Sequence, residues 1–406
     1  MARRVLEVSL HADPLTHRDS GVVGGQQILI RELVKNIQQH GYGVDVMTAA
    51  HKGSPEKFNL GHLGQVIRLT QELVRGMEGT WEPLVDKMAV QAMDWIRDSG
   101  RQHHLIHSHY WISGLVAEKI HQQTGIPWIH SPVKMAEWNQ RPGEILDARR
   151  VEIERRLLEA PTAVVVSYLS EAEIIHSVNA GLPVYVVPPG VDPTQFFSRD
   201  AGPVLRACQI TRRPAIYVGR LEEARGLRHA LEVLADMDLP EDFVLLVLGG
   251  TRREIEQGVP TNPELARLKE RLSGHVQFIG GMPHRAVAPY VAASEVAVAL
   301  NQGPTLGMAV LESLASGVPV VGTKVPGVRD WIESGEDGYL VKPEAMADLW
   351  KLTLQLWKNP TEARKMGHRG QDKVHRHHTV GRMAEEMVAC YQEVTGVGQN
   401  QLGIGF

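Results

Sequence analysis

Three stretches of this sequence set glycine beside a cation or a lone carboxylate, a pairing suited to a charged, hydroxylated ligand. In AIYVGRLEEARGL (215–227) an apolar run ends on Gly219 and Arg220, and Arg225 follows as the next helix starts. Two guanidinium groups at the carboxyl end of a strand suit a diphosphate, which each can grip through paired N–H donors. In VALNQGPTLGMAVLESLASG (298–317) a strand, a glycine-containing turn and a helix beginning near Gly307 follow one another. The free amides of that first helical turn can cradle an anion, and Glu312 lies one turn further in. A carboxylate in an otherwise apolar helix is costly unless it receives hydrogen bonds. Ribose hydroxyls are good donors for it; the alternatives are that it caps a neighbouring loop or faces water. In HADPLTHRDSGVVGGQQILIRELVKNI (11–37) a long polar loop closes on Gly24 and Gly25 ahead of a helix with apolar residues at helical spacing. That pair either lets a phosphate or sugar approach the backbone or only shapes a turn.

Such residues need a scaffold that delivers them to one place. Short apolar runs alternate with longer amphipathic stretches: VLEVSL, VDVMT, LIHSH, PWIHS, AVVVS and VYVVP before residue 190, then AIYVG, FVLLVLGG, VQFIG, VAVAL and VPVVGT after the proline-rich PPGVDPTQFF (188–197). The alternation predicts an α/β fold of two doubly wound, Rossmann-like domains with parallel sheets, each presenting its strands' carboxyl ends to ligand across a cleft. A length of 406 residues supports this division, since one hydrophobic core rarely grows so large. With 43% hydrophobic and 22% charged residues and a formal charge of −4, the chain has no basic excess to attract nucleic acid. Cys208 and Cys390, the only cysteines, are too few for a disulfide scaffold, and a reducing, cytoplasmic setting is expected. The start, MARRVLEVSLHADP, is too short and too polar in its apolar run for a signal or spanning segment, and no transmembrane segment is expected elsewhere. The histidine-rich patches, HH at 103 and HRHH at 375–378, are too irregular for a metal site and read as solvated surface.

Six stretches in order, HADPLTHRDSGVVGGQQ, HSHYWISG, IPWIHS, ARRVEIERRL, VVPPGVDPTQFF and YVGRL, resemble the GT-B glycosyltransferases of family 4, a family of retaining enzymes. The likeness is strongest to the branch holding mycothiol glycosyltransferase and the short cyanobacterial sucrose-phosphate synthases. It implies a boundary near residues 190–200: an acceptor-side domain over 1–195, a nucleotide-sugar-binding domain over 196–375, and a final stretch, 376–406, whose helix around MAEEMVACYQEV (383–394) packs back on the first domain. It implies that Arg220 and Arg225 hold the nucleotide diphosphate and stabilise it as it leaves, and that Glu312 binds the ribose. Gly24, Gly25, Met282, Gly307, Met308 and Ala309 would complete the donor site, and Gln26, Tyr110, His130 and Arg150 the acceptor site. Read as residues alone, Arg150 can equally be a helix charge pairing with Glu154 one turn on.

The sequence departs from the family pattern at several of these places. Pro304 stands where the family has a glutamate eight residues before the ribose-binding one, and Val133 where it has a histidine over the donor sugar. Arg225 replaces a lysine, and a further lysine that meets acceptor phosphate has no counterpart unless it is Arg75. Retaining transfer in this family resembles front-side displacement, in which the leaving diphosphate takes the acceptor proton, so no side-chain base is required. The resemblance therefore implies an active hexosyltransferase that uses a nucleotide sugar, UDP-linked by expectation, and a small sugar or cyclitol acceptor that can be phosphorylated. No cofactor and no metal are expected, because arginines and helix N-termini already neutralise the diphosphate. The alternatives are a silent relative that binds nucleotide sugar or serves as a partner subunit, and a GT-B enzyme of another class such as a nucleotide-sugar epimerase. A homo-oligomer is compatible with all three.

Overall fold

The computed structural model describes residues 3–15, 24–49, 57–69, 81–133, 135–139, 146–200, 202–207, 210, 213–221, 226–250 and 260–396. Arg225, Arg75 and Cys208 lie outside the described residues. The chain forms two compact units, one from Met1–Leu15, Gln26–Pro188 and Val380–Phe406, the other from Thr16–Gly25 and Pro189–Thr379.

The first unit is built on eight strands among the described residues: β1 (Arg4–Val8), β2 (Gly43–Ala49), β3 (Lys57–Asn59), β4 (Gly64–Leu69), β5 (Leu105–His109), β6 (Trp128–Ser131), β7 (Ala163–Val166) and β8 (Val184–Val186). They lie in the order β3-β4-β2-β1-β5-β6-β7-β8, with β3 antiparallel to β4 and the other neighbours parallel. The inner strands are buried throughout, as expected of a parallel sheet covered by helices on both faces. Val5, Leu105 and Ile129 point to one face, where Met383, Ala384, Met387, Val388, Cys390 and Tyr391 of the helix Val380–Val394 pack on them. Leu6, Val8, Ile106 and Trp128 point to the other and meet the helices Trp81–Ser99 and Trp111–Thr124.

The second unit carries β9 (Arg213–Val218), β10 (Phe243–Leu248), β11 (Val276–Phe278), β12 (Val296–Ala299), β13 (Val320–Thr323) and β14 (Gly338–Val341), parallel throughout in the order β11-β10-β9-β12-β13-β14. Its core joins Ala215, Tyr217, Leu245, Val247 and Val298 to Leu231, Leu349, Trp350 and Trp357 of the covering helices. The unit takes in the segment from Pro189 because Val191 bridges to Thr379 and Phe196 is buried against the ring of His284.

Each sheet winds in both directions from a central pair, β1 and β5 in the first and β9 and β12 in the second. The chain leaves the two strands of such a pair in opposite directions, which opens a crevice beyond their carboxyl ends. Glu7, His109 and Tyr110 stand at that end of the first sheet, Gly219 and Arg220 at that of the second. Among the described residues no helix is long and apolar enough to cross a membrane.

One expectation is corrected by burial. His103, in the HH pair read as solvated surface, is 5% exposed and hydrogen-bonds Asp45 at 2.9 Å. Arg4 and Arg101 converge on the same carboxylate at 3.1 and 2.7 Å. Burial raises the Asp45 pKa, but the bond from His103 and the charges of Arg4, His103 and Arg101 outweigh it and hold the carboxyl below its usual range. In the second patch His378 is half-buried, and burial followed by the charge of Lys373 pushes its pKa down to about 4.

Candidate functional site

In the second unit Arg220 follows β9 after Gly219 and is partly exposed, with Tyr217 Oη donating to its carbonyl at 2.9 Å. The neighbouring strand β12 runs out into the loop that ends at Gly307, the N-cap of the helix Met308–Ala315. Gly307 has φ 69°, and a Cβ there would lie 1.8 Å from the carbonyl oxygen of Gly327, so no other residue fits without moving backbone. The loop is braced from behind: Trp331 Nε1 donates to Leu306 O at 3.0 Å, and Thr305 N to Pro326 O at 3.1 Å. Among the described residues no side chain caps this helix; Val310 N turns back to Gly307 O at 2.9 Å, and the amides of Met308 and Ala309 are the ones suited to a ligand. Gly25 belongs to the same unit, and a methyl group on it would stand 3.3 Å from Met308 Cγ. Gly25 thus lies close against Leu306 and Met308 at the start of that helix; Gly24 precedes it in the chain.

Glu312 neither faces water nor caps a loop. Its side chain is 5% exposed, and Oε1 lies 2.6 Å from His284 Nε2, the carboxylate accepting and the imidazole donating. His284 opens the helix His284–Ala292, two residues after the partly exposed Met282. No local sequence signal marks His284: its partner is 28 positions away, and nothing in MPHRAVAPY indicates the pairing.

In the first unit a second group of expected residues comes together around one that was missed. His11 Nε2 hydrogen-bonds Gln26 Oε1 at 2.7 Å, and its ring lies 4.3 Å from that of Tyr110. The Arg150 guanidinium sits 5.3 Å above Tyr110 and 5.9 Å from Trp111. Arg150 Nε also donates to Glu154 Oε1 at 2.8 Å, as the helix-pair reading anticipates, and Glu154 is buried and accepts from Ala136 N as well. Burial raises the Glu154 pKa in spite of Arg150. Tyr110 itself has φ 73°, a conformation that costs a non-glycine residue about 1–3 kcal/mol and gathers at functional sites. Val133, at the place of the absent histidine, is likewise in the left-handed region at φ 39°.

His130 does not join this group. Successive residues of a strand point to opposite faces. In register His130 stands opposite Ser108, on the face away from His107 and His109. It is 1% exposed, its Nδ1 accepts from Ser108 Oγ at 2.8 Å, and a Cβ on Gly114 would come within 2.8 Å of its ring. Burial, then the nearby His109 and His107, pushes its pKa down to about 3. It is a neutral packing residue, and the acceptor role expected of it is not supported by its position.

On the opposite face Glu7, His107 and His109 form the group that among the described residues most resembles a metal-ligand set, with one ligand atom from each within 4.8 Å of the others. These groups bond one another and Tyr391: His109 Nε2 donates to Glu7 Oε2 at 2.7 Å, Tyr391 Oη to Glu7 Oε1 at 2.9 Å, and His107 Nδ1 to Tyr391 Oη at 2.7 Å. Ser131 Oγ completes the chain at His107 Nε2, 2.9 Å away. Burial alone would raise the Glu7 pKa, but His107 and His109 outweigh it and hold the carboxyl far below its usual range. The set is a buried hydrogen-bond network.

Two family models match the chain, "Glycosyl transferases group 1" over residues 210–373 and "Glycosyl transferase 4-like domain" over 24–190. Curated relatives named D-inositol 3-phosphate glycosyltransferase include that of Corynebacterium urealyticum, 28% identical with 85% of this chain and 86% of the relative covered. That of Corynebacterium efficiens is 27% identical, with 97% and 96% covered. Among solved structures, sucrose-phosphate synthase from Thermosynechococcus elongatus matches with a TM-score of 0.84 at 23% identity, covering 97% of this chain and 99% of that one. Anabaena HepE in complex with UDP and glucose matches with a TM-score of 0.72 at 15% identity, covering 95% and 98%.

Proposed function

We infer, for a chain that belongs to the GT-B glycosyltransferases, that it transfers a hexosyl group from a UDP-sugar to a small phosphorylated sugar or cyclitol, with retention at the anomeric carbon. The observation that carries this reading is the buried Glu312, aligned by its helix behind the uncapped turn at Gly307, in the same unit as Arg220 at the β9/β12 crevice. A ribose on Glu312, a diphosphate on Arg220 and the helix amides, and a sugar beside Gly307, Met308 and Ala309 use every feature of that arrangement. Arg225 would add a second guanidinium. The names of the relatives, and the UDP and glucose in the HepE structure, support the donor and acceptor classes. Tyr110, Arg150 and Gln26 are the residues of this chain suited to an acceptor phosphate, with His11 holding Gln26 and Tyr110.

In this reaction the acceptor hydroxyl oxygen attacks the anomeric carbon from the face the diphosphate leaves. The bond between that carbon and the β-phosphate oxygen breaks, its electron pair departs with the diphosphate, and the acceptor proton passes to a diphosphate oxygen. The protein's share is position and charge: arginine and helix amides stabilise the negative charge building on the leaving group. No metal is called for in that scheme, and a cytoplasmic setting supplies the nucleotide sugar. Pro304 and Val133 favour a second reading, binding without transfer, because both remove polar contacts to the sugar and leave the diphosphate site intact.

The test is UDP release from a panel of UDP-, GDP- and ADP-sugars, with and without hexose phosphate or inositol phosphate. Release that needs a phosphorylated acceptor, persists in chelator and shows a raised acceptor KM after Arg150→Ala is expected. Tight UDP binding with no release from any pair would establish the second reading.

A further inference from the structure

Resting on the reading that Glu312 binds the donor ribose, we propose that His284 is a positioning residue that sets this carboxylate for a vicinal diol, and that the segment following the unit boundary holds His284 in place. A glutamate side chain has three rotatable bonds, and a carboxylate left to choose its own direction would lose much of its selectivity for two neighbouring hydroxyls. Here one oxygen, Oε1, is held by His284 Nε2 at 2.6 Å, while among the described residues nothing else donates to the carboxylate, whose other lone pairs suit hydroxyl donors. The imidazole in turn is held on two sides. Phe196, 1% exposed, lies with its ring 5.2 Å from that of His284. Gln195 Nε2 stands 3.5 Å from His284 Nδ1, a weak contact whose polarity favours the tautomer with its proton on Nε2, the one that can donate to Glu312.

The geometry distinguishes this pair from a surface ion pair. Glu312 is 4% exposed, so solvent does not screen it, and the pair joins the first residue of one helix to the middle of another. The Gln195–Phe196 segment is a third element in contact with the pair, through His284. Substitution at His284 therefore changes where the carboxylate points before it changes whether the unit folds. A role confined to holding the two helices together would alter stability and leave selectivity for the ribose untouched.

The experiment is calorimetric titration of the full-length protein with UDP and with 2′,3′-dideoxy-UDP, alongside thermal unfolding of each variant. Wild type is expected to prefer UDP by about tenfold or more, the lower end for hydrogen bonds to a charged group. His284→Ala should cut that preference by at least about threefold through weaker UDP binding, with dideoxy-UDP bound within about twofold of wild type. His284→Gln, whose amide can still donate, should recover part of the preference. Dideoxy-UDP binding and the unfolding midpoint report whether each variant is folded, and Gln195→Leu, which leaves His284 in the chain, should shift the preference in the same direction by less. An unchanged preference in His284→Ala, with Glu312→Gln abolishing it, would overturn the positioning role and keep the ribose site. A preference unchanged in Glu312→Gln as well, or no preference in wild type, would remove the ribose reading and this inference with it.

Discussion

Two buried carboxylates, each hydrogen-bonded to a histidine, stand one in each unit, and their surroundings differ in kind. Glu7 is 0% exposed, both its oxygens are taken, and the donors come from β5 and the helix Val380–Val394. Glu312 gives one oxygen to His284, whose side chain is 19% exposed, and sits one turn behind a helix start that no side chain among the described residues caps. A carboxylate sealed from solvent with a donor on each oxygen works for the fold, since removing a partner strands a buried charge. One with capacity left beside a solvent-reached partner can bind. Burial and a histidine neighbour are common to both, so neither feature separates them; the difference is the Glu312 oxygen that has no donor among the described residues.

The comparison is sharpest where the sealed network is cut. Glu7→Ala should cost about 3–5 kcal/mol in the unfolding of the first unit, the range for removing one partner of a buried charged network. Chemical denaturation followed by a probe in that unit measures it, and a loss below about 1 kcal/mol would show the network to be dispensable.

Acid should act on the same network with a definite sign. Glu7, His109 and His130 all have folded pKa values below their ordinary ones, that of His130 about 3. The unfolded chain therefore binds more protons than the folded one across the window between folded and unfolded values, and stability falls as pH falls there. For the histidines the loss begins near their unfolded value of about 6.5, and for His130 it continues toward about 3; for Glu7 it adds from about 4.3 downward. The second unit has His378 as its one comparably lowered histidine among the described residues, so the first unit should unfold at the higher pH. Hydrogen exchange from pH 7 to 4, resolved by segment, would read this; equal acid sensitivity of the two units would break the contrast.

A smaller effect is expected from Tyr391→Phe, which leaves Glu7 and His107 in place and removes the hydroxyl between them. A loss of about 1–3 kcal/mol is expected for the acceptor and donor left unpaired. No change in stability would mean that water replaces the hydroxyl.

Much of the scaffold could be read from apolar runs, because buried parallel strands leave near-continuous Val, Leu and Ile stretches. The strands that escaped notice lack that mark: β3 is exposed, β4 mixes Gln65 and Arg68 with its apolar residues, and β14 is the short GYLV. In the site, Arg220, Gly307 and Glu312 stood out because glycine, arginine and a lone glutamate are out of place in apolar surroundings. His11 and His284 did not, since what makes them notable is a partner brought near by folding. His103 was misread for the same reason: its surface-like sequence context hides Asp45, delivered by β2. The Glu7 network arises from register, Glu7 opposite His107 on neighbouring strands, which no local pattern in the sequence encodes.

The central claim is that Glu312 is the carboxylate that meets ligand and Glu7 the one that holds the fold. It is tested most directly by titrating UDP into Glu312→Gln and Glu7→Gln proteins side by side, with the unfolding midpoint of each recorded. Glu312→Gln should bind UDP about 10- to 100-fold more weakly with little change in unfolding, the range for a hydrogen bond to a charged group, while Glu7→Gln should unfold earlier and, below its transition, bind UDP as wild type does. Wild-type affinity in Glu312→Gln would contradict the account.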